Sequence, residues 1–193
     1  MTEPADQVME AALPHTAGFA LPETRLSGFL DPVVRTIGEA ASWLWPILML
    51  VIVLQVALRY LFGLGSIMLE EIQWHIYGIG FILGISYCLL LDRHVRIDVL
   101  AERLRPRTRA WIEFVGLLVL LLPFALAIMI EGVPFAVRSF QFGEVSAAPG
   151  GLPYRWIPKS FIVIGFALIS LAALARLSRV WAFLARGPAA PRR

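Results

Sequence analysis

His94, Arg96 and Asp98 occupy alternate positions in a short charged segment of the chain, LLLDRHVRIDVLAERLRPRTRAW, which runs from Leu89 to Trp111. Histidine and carboxylate groups are residue types that active sites use to transfer protons. The same segment gathers six arginines, although the chain as a whole is 59% hydrophobic. An active site also needs a nucleophile, a set of metal ligands or an enclosed pocket, and none accompanies His94 in the sequence. The role of the segment therefore depends on the elements that flank it.

Four apolar runs are long enough to cross a membrane as helices. A helix needs about 20 residues to cross a hydrocarbon core of about 30 Å, because every backbone amide must be satisfied within the helix. The mean hydropathy of +0.75 also places the chain among membrane proteins. The sequence therefore predicts an all-α integral membrane protein with four transmembrane helices, near residues 43–62, 72–91, 110–130 and 154–181. Pro123 falls inside the third of these spans and predicts a kink there.

The rest of the chain is assigned around these spans. A polar tail is expected over residues 1–25, a single four-helix membrane domain over 26–181, and a second tail over 182–193. Loop 92–109 and loop 131–153 are expected on opposite sides of the membrane.

The basic residues predict the orientation, since cytoplasmic loops retain Lys and Arg. If the N-terminus is inside, thirteen of the seventeen Lys and Arg residues fall on the cytoplasmic side. Both termini and loop 92–109 are therefore predicted to be cytoplasmic, and loop 131–153 is predicted to lie outside. The six arginines of the charged loop can then meet anionic head groups of the lipid bilayer, each contributing roughly 1 kcal/mol near the surface.

The residues before the first span show an amphipathic pattern. Apolar side chains recur there at helical spacing, at Leu26, Phe29, Leu30, Val33, Val34 and Ile37. Asp31 followed by Pro32 is typical of a helix N-cap and first helical position. We expect a short amphipathic helix in the inner membrane interface. The alternative is a simple extension of the first span.

Histidines and acids are too sparse within the spans for a cofactor site or a catalytic site. His75 is the one histidine inside a predicted span, and a haem held by two histidines would need a second one on a facing helix. A di-metal carboxylate site would need two Glu/His motifs, and the sequence offers only the pair Glu71 and His75. The single cysteine, Cys88, excludes an intrachain disulfide. We therefore predict no cofactor, no metal, no catalytic or substrate-binding residue and, because the arginines adjoin apolar runs, no nucleic-acid partner.

Charges near the outer edge favour a structural role. Glu70 and Glu71 open the second span, where the helix dipole favours anions, and Arg59 ends the first span a short loop away. We predict an ion pair between Arg59 and one of these glutamates; docking of a periplasmic partner by the carboxylates is the alternative. Glu131 is expected near the outer face, and it shares a helix face with Arg138 only if the helix continues through Pro134. No charged residue is expected near mid-depth.

Four stretches of the chain match one family in their order and spacing. They are RYLFG from Arg59, EEIQWHIYGIGFILGISY from Glu70, HVRIDVL from His94 and EVSAAPGGLPYRWIPKS from Glu144. Together they resemble the small membrane subunit of tripartite ATP-independent periplasmic (TRAP) transporters, the DctQ-like family. Each stretch alone is weakly specific, and the resemblance extends over most of the chain, from about residue 31 to residue 179.

The resemblance implies a non-catalytic subunit of a secondary transporter in the bacterial inner membrane, driven by an ion gradient, commonly sodium. In that family a large membrane subunit carries the substrate and ion sites, and a periplasmic binding protein captures organic acids. The small subunit resembles a fixed scaffold for the large one, which agrees with apolar spans that contain no reactive site. The alternative is a stand-alone four-helix membrane protein, either a small exporter or the membrane anchor of a redox complex.

Eight residues are candidates for structural or assembly contacts: Arg59, Glu70, Glu71, His75, His94, Arg96, Asp98 and Glu144. Those at 94, 96 and 98 are predicted to fix the cytoplasmic loop through hydrogen bonds or ion pairs, within the chain or with the large subunit. Four glycines permit close approach of helices, and they serve either contact with the partner or packing within the bundle: Gly78, Gly80, Gly84 and Gly165.

Overall fold

The computed structural model describes residues 21–92 and 104–186, and over these residues the regular elements are all helices. They are α1 (Arg25–Ser42), α2 (Leu44–Phe62), α3 (Ile67–Leu90), α4 (Pro106–Val115), a π-helical segment (Gly116–Leu121), α5 (Leu122–Gln141) and α6 (Trp156–Arg186). Four stretches are long and apolar enough to cross a membrane: Arg25–Phe62, Ile67–Leu90, Pro106–Gln141 and Trp156–Arg186. The predicted all-α fold with four spans is therefore confirmed. His94, Arg96 and Asp98 lie outside the described residues.

The helix boundaries follow local capping chemistry. Thr24 accepts a hydrogen bond from the Ser27 amide at 3.1 Å, and the Ser27 hydroxyl accepts one from the Thr24 amide at 3.0 Å. This reciprocal cap starts α1 at Arg25, so the predicted start at Asp31 and Pro32 is wrong and Pro32 lies inside the helix. At the other end of the first hairpin, α2 stops at Gly63, which takes the left-handed conformation with φ of 69°.

The amphipathic segment and the first span meet in an almost continuous helix. Trp43 forms the only break between α1 and α2. The apolar face of α1 is buried through Leu30, Val34 and Ala41 against α3 and α6. Gly38 allows this approach, because a Cβ atom there would lie 2.5 Å from the Tyr87 ring. The segment thus extends the first span along the chain and also packs its apolar stripe within the bundle.

The third stretch contains an irregularity beside Pro123. The π-helical segment ends at Leu121, immediately before α5. Proline has no amide hydrogen and its ring crowds the carbonyl four residues earlier, which here belongs to Val119 in the π-helical segment. Further along, α5 continues through Pro134 to Gln141. Glu131 and Arg138 therefore share one helix face, and Glu131 lies ten residues before the end of the helix.

The centre of the bundle is α6, which packs against α1, α3, α4 and α5. Its inner half buries small and aliphatic side chains, among them Ile169, Ala172 and Ala173. By contrast, α2 packs mainly against α3, through the edge-to-face pair of Trp45 with Tyr77 and a hydrogen bond from Gln73 to Gln55. We call the end with loops 63–66 and 142–155 the outer end, following the predicted topology, and the opposite end the inner end.

Candidate functional site

At the outer end, Glu71 fastens a loop onto α3. Its carboxylate accepts a hydrogen bond from the Ser146 hydroxyl and a second from the Leu152 amide at 2.6 Å. Gly151 is required for this contact, because a Cβ atom there would lie 2.5 Å from the Ser146 Cβ and 3.0 Å from the Glu71 carboxylate. The Gly- and Pro-rich loop 142–155 is thus tied to the first turn of α3.

The predicted pairing of Arg59 with these glutamates is wrong. Among the described residues Arg59 forms no ion pair with Glu70 or Glu71, and its side chain is exposed. Arg59 lies exposed at the end of α2, whereas the Glu71 carboxylate is directed to the Ser146 hydroxyl and the Leu152 amide of loop 142–155.

Glu144 holds the same loop against α6 and α5. It forms an ion pair with Lys159 and a longer one, 3.5 Å, with Arg155. The Lys159 ammonium, which donates a hydrogen bond to it, holds the pKa of the Glu144 carboxyl below its ordinary value of 4.5. Lys159 also lies over the Phe135 ring, with its nitrogen 4.0 Å from the ring centre. These contacts tie the loop to α6 and hold Lys159 against α5.

Below this polar layer lies an open groove. A cavity of about 640 Å³ is lined by Glu70, Glu71 and His75 of α3 and by residues of α5 and α6. A second cavity of about 440 Å³ lies between α5 and α6, and both cavities are lined by Phe135 and Ile162. We call the two together the outer groove. Three predicted candidates, the two glutamates and the histidine, are thus brought together in it.

At the inner end, the ion pairs centre on a buried arginine, whereas those of the outer end involve the more exposed Glu144. Arg176 is only 6% exposed; it lies 2.9 Å from the Asp92 carboxylate and also forms an ion pair with Glu113. Three segments of the chain meet here: Asp92 follows α3, Glu113 belongs to α4 and Arg176 belongs to α6. This arrangement joins three segments of the chain through one side chain.

A second set of contacts fastens α1 to the same end. Arg179 forms an ion pair with Asp31, and the hydroxyls of Thr24 and Ser178 lie 2.6 Å apart. We call these contacts, with those of Arg176, the inner cluster. The sequence-based candidates did not include it. The signal was present, however: Glu113 and Arg176 are opposite charges at the same predicted end of two antiparallel spans.

The four glycines divide into two kinds. A Cβ atom at Gly165 would lie 2.6 Å from Ile82, and one at Gly80 would lie 3.6 Å from Leu44, so both glycines serve packing within the bundle. A Cβ atom at Gly78 or Gly84 would have no neighbour within 4 Å. Gly165 and Gly80 therefore serve packing within the bundle, and Gly78 and Gly84 face open space.

At each end of the bundle, the polar side chains described above contact polar groups of the same end. These contacts hold helices and loops together. Within the described residues, no group of three His, Cys, Asp or Glu side chains is arranged to hold a metal ion. The outer end differs from the inner end because an accessible groove lies beneath its polar contacts.

Comparison with known proteins places the chain among transporter components. Residues 48–183 match the family model of the DctQ component of tripartite ATP-independent periplasmic transporters. The chain is also 28% identical over 138 residues to a TRAP transporter small permease protein of Haemophilus influenzae, a match that covers 72% of this chain and 83% of that protein. The family match takes in α3, α5 and nearly all of α6, and with them the groove and most of the inner cluster.

Proposed function

Because the chain belongs to the DctQ family of TRAP transporter components, we propose that it is the non-catalytic scaffold subunit of an importer of organic acids. The family is a transporter component and not an enzyme, and the chain is a multi-pass membrane protein. The observation that carries the proposal is the family match over most of the membrane domain. In this proposal a large membrane subunit carries the solute and the coupling ion, and a periplasmic binding protein delivers the solute.

The packing of the described residues supports a scaffold role. At the two ends, Glu71, Glu144 and Arg176 form hydrogen bonds or ion pairs with other residues of the same chain. Large apolar side chains remain exposed along α2 and α5, among them Leu50 at 69% and Ile130 at 69%. Such surfaces suit contact with lipid or with another membrane protein.

The test is reconstitution of the transporter from its parts. The chain is co-expressed with the large subunit, purified through a tag on the chain, and placed in vesicles with the binding protein and an ion gradient. We expect stable co-purification, uptake by the complete system, and no uptake by vesicles that hold this chain alone. Uptake by the chain alone would support the stand-alone exporter and reverse the proposal.

The class of solute needs a separate measurement. We propose organic acids, and the binding protein is the component to screen, by the shift in its melting temperature with a panel of carboxylates and of neutral and cationic solutes. Stabilisation by carboxylates is expected. If only neutral or cationic solutes raised the melting temperature, the solute class would be wrong while the scaffold role would stand.

The location in the inner membrane and the inside position of both termini are also proposals. They rest on the distribution of basic residues. A reporter enzyme that is active only outside the cytoplasm, fused after Arg193, is expected to be inactive. Activity of that fusion would invert the topology.

A further inference from the structure

Glu131 is a carboxylate at an unusual place in the bundle. It lies on α5 inside one of the stretches that can cross a membrane, and its side chain is exposed. The sequence predicts Glu131 near the outer face, and in the structure α5 runs ten residues further, to Gln141. At 1.5 Å per residue, Glu131 lies roughly 15 Å below the end of the helix and roughly 10 Å below Arg138.

The neighbours of Glu131 agree with this depth. Gly132, the next residue, packs against Val163, which is well inside α6; a Cβ atom at Gly132 would lie 3.0 Å from it. Phe135, one turn further out, lies beneath the Lys159 ammonium. Glu131 is therefore on the membrane side of the outer polar layer.

Within the described residues Glu131 forms no ion pair, and Arg138, the cation on its helix face, lies roughly 10 Å away along α5. An ionised side chain at membrane depth is unfavourable when it faces lipid, and such residues almost always face a protein surface or a water-filled cavity. A group that satisfies Glu131 must therefore come from outside the described part of this chain.

The surface around Glu131 is concave. The smaller cavity of the outer groove is lined by Glu131 and Arg138 together with Ile128, Pro134 and Ile162. Through Phe135 and Ile162 it adjoins the larger cavity, so the groove has α3 and α5 as walls and α6 as its floor. An apolar floor with an acid on one wall suits a helix that carries one polar side chain.

We propose that the outer groove is the docking site of a transmembrane helix of the large membrane subunit, which places a hydrogen-bond donor or a cation against Glu131. A transmembrane helix satisfies its own backbone and presents side-chain donors at any depth. A lipid presents its polar head at the interface, whereas Glu131 lies about one helical turn further in than Phe135 and the Lys159 ammonium above it. The proposal rests on the proposed scaffold function, since it needs the large subunit as the partner.

The first experiment locates the partner by photo-crosslinking in the intact complex in membranes. A crosslinking residue is placed at Ile128, which lines the groove and leaves Glu131 in place. The control position is Val133, which is exposed on the same helix but lies roughly 200° around it from Glu131. We expect an adduct with the large subunit from position 128 and not from position 133.

The second experiment measures the contribution of the carboxylate. Glu131→Leu is expected to lower the amount of co-purified large subunit about tenfold, the change that follows from losing one interhelical polar contact. Glu131→Gln, which keeps an acceptor, is expected to lose less. Glu39→Leu is the control, since Glu39 is an exposed carboxylate on α1 and does not line the groove. The melting temperature of each variant alone shows that folding is intact.

The outcomes separate the two proposals. If the unaltered chain does not co-purify with the large subunit, the scaffold function fails. If it does co-purify, but position 128 gives adducts with lipid only, or position 133 gives the same adduct, the docking site is overturned. Unchanged co-purification of Glu131→Leu would also overturn it, because the carboxylate would then contribute nothing to assembly.

Discussion

The inner and outer halves of the bundle use charged residues in opposite ways. In the inner half, Arg176 is buried between Asp92 and Glu113, and its charge serves the contact of helix with helix. In the outer half, Glu71 and Glu144 fasten a loop, while Glu131 remains exposed beneath them. One half of this domain is closed on itself, and the other half leaves an accessible groove.

The packing of α6 accounts for the difference. Its inner half carries Ala172, Ala173 and Ala175, whose small side chains are buried and let neighbouring helices approach closely. Its outer half carries larger side chains, such as Phe161 and Ile162, that line the outer groove. The inner half is therefore closely packed, and the outer half leaves an accessible groove.

The largest effect is expected from Arg176→Leu. Removing the guanidinium takes away the central member of a buried set of ion pairs, which typically costs about 3–5 kcal/mol. We expect a large fall in the melting temperature of the purified protein in detergent. Arg186→Leu is the matched control, because Arg186 is exposed at the end of the same helix. Equal and small shifts for both variants would show that the inner half is not closed by this side chain.

A smaller loss is expected from Gly165→Ala. The added methyl group would lie 2.6 Å from Ile82, so α3 and α6 must shift, and overpacking of this kind costs about 1–3 kcal/mol. Gly84→Ala is the control on α3, where a Cβ atom has no neighbour within 4 Å. It is expected to leave the melting temperature unchanged or to raise it, since alanine favours helix. A loss of stability in Gly84→Ala instead would place Gly84 inside the packed region.

The sequence predicts the fold class well because hydropathy and length decide it. Its predicted topology also places Glu71, His75 and Glu144 near the outer side of the membrane. It does not predict which atoms pair: Glu71 contacts residues 146 and 152, which are distant in sequence and belong to an irregular loop. The sequence also leaves open whether the helix continues through Pro134; in the structure α5 does continue, to Gln141, and packs on α6.

At the outer end, Glu71→Gln is expected to loosen loop 142–155 without disturbing the helices. The amide keeps one acceptor oxygen, so one of the hydrogen bonds from Ser146 and Leu152 is lost. The measurement is the rate of protease cleavage within the loop, with cleavage elsewhere as an internal reference. Glu70→Gln, the adjacent exposed carboxylate, is the control and should leave the rate unchanged. A global loss of stability in Glu71→Gln would mean that this contact closes the bundle as Arg176 does.

The smallest effect is a pH dependence of the same loop. The pKa of Glu144 is held below its ordinary value of 4.5, chiefly by the hydrogen bond from Lys159. Its ionised form therefore stabilises the loop above about pH 4.5, and this contribution is lost as the pH falls through the lowered pKa. We expect hydrogen exchange of the loop amides, corrected for the intrinsic effect of pH, to accelerate on acidification, and to change less in Lys159→Gln. The inner cluster is the comparison: if its amides lost protection over the same range, acid would be acting on the whole bundle and the separation of the two halves would fail.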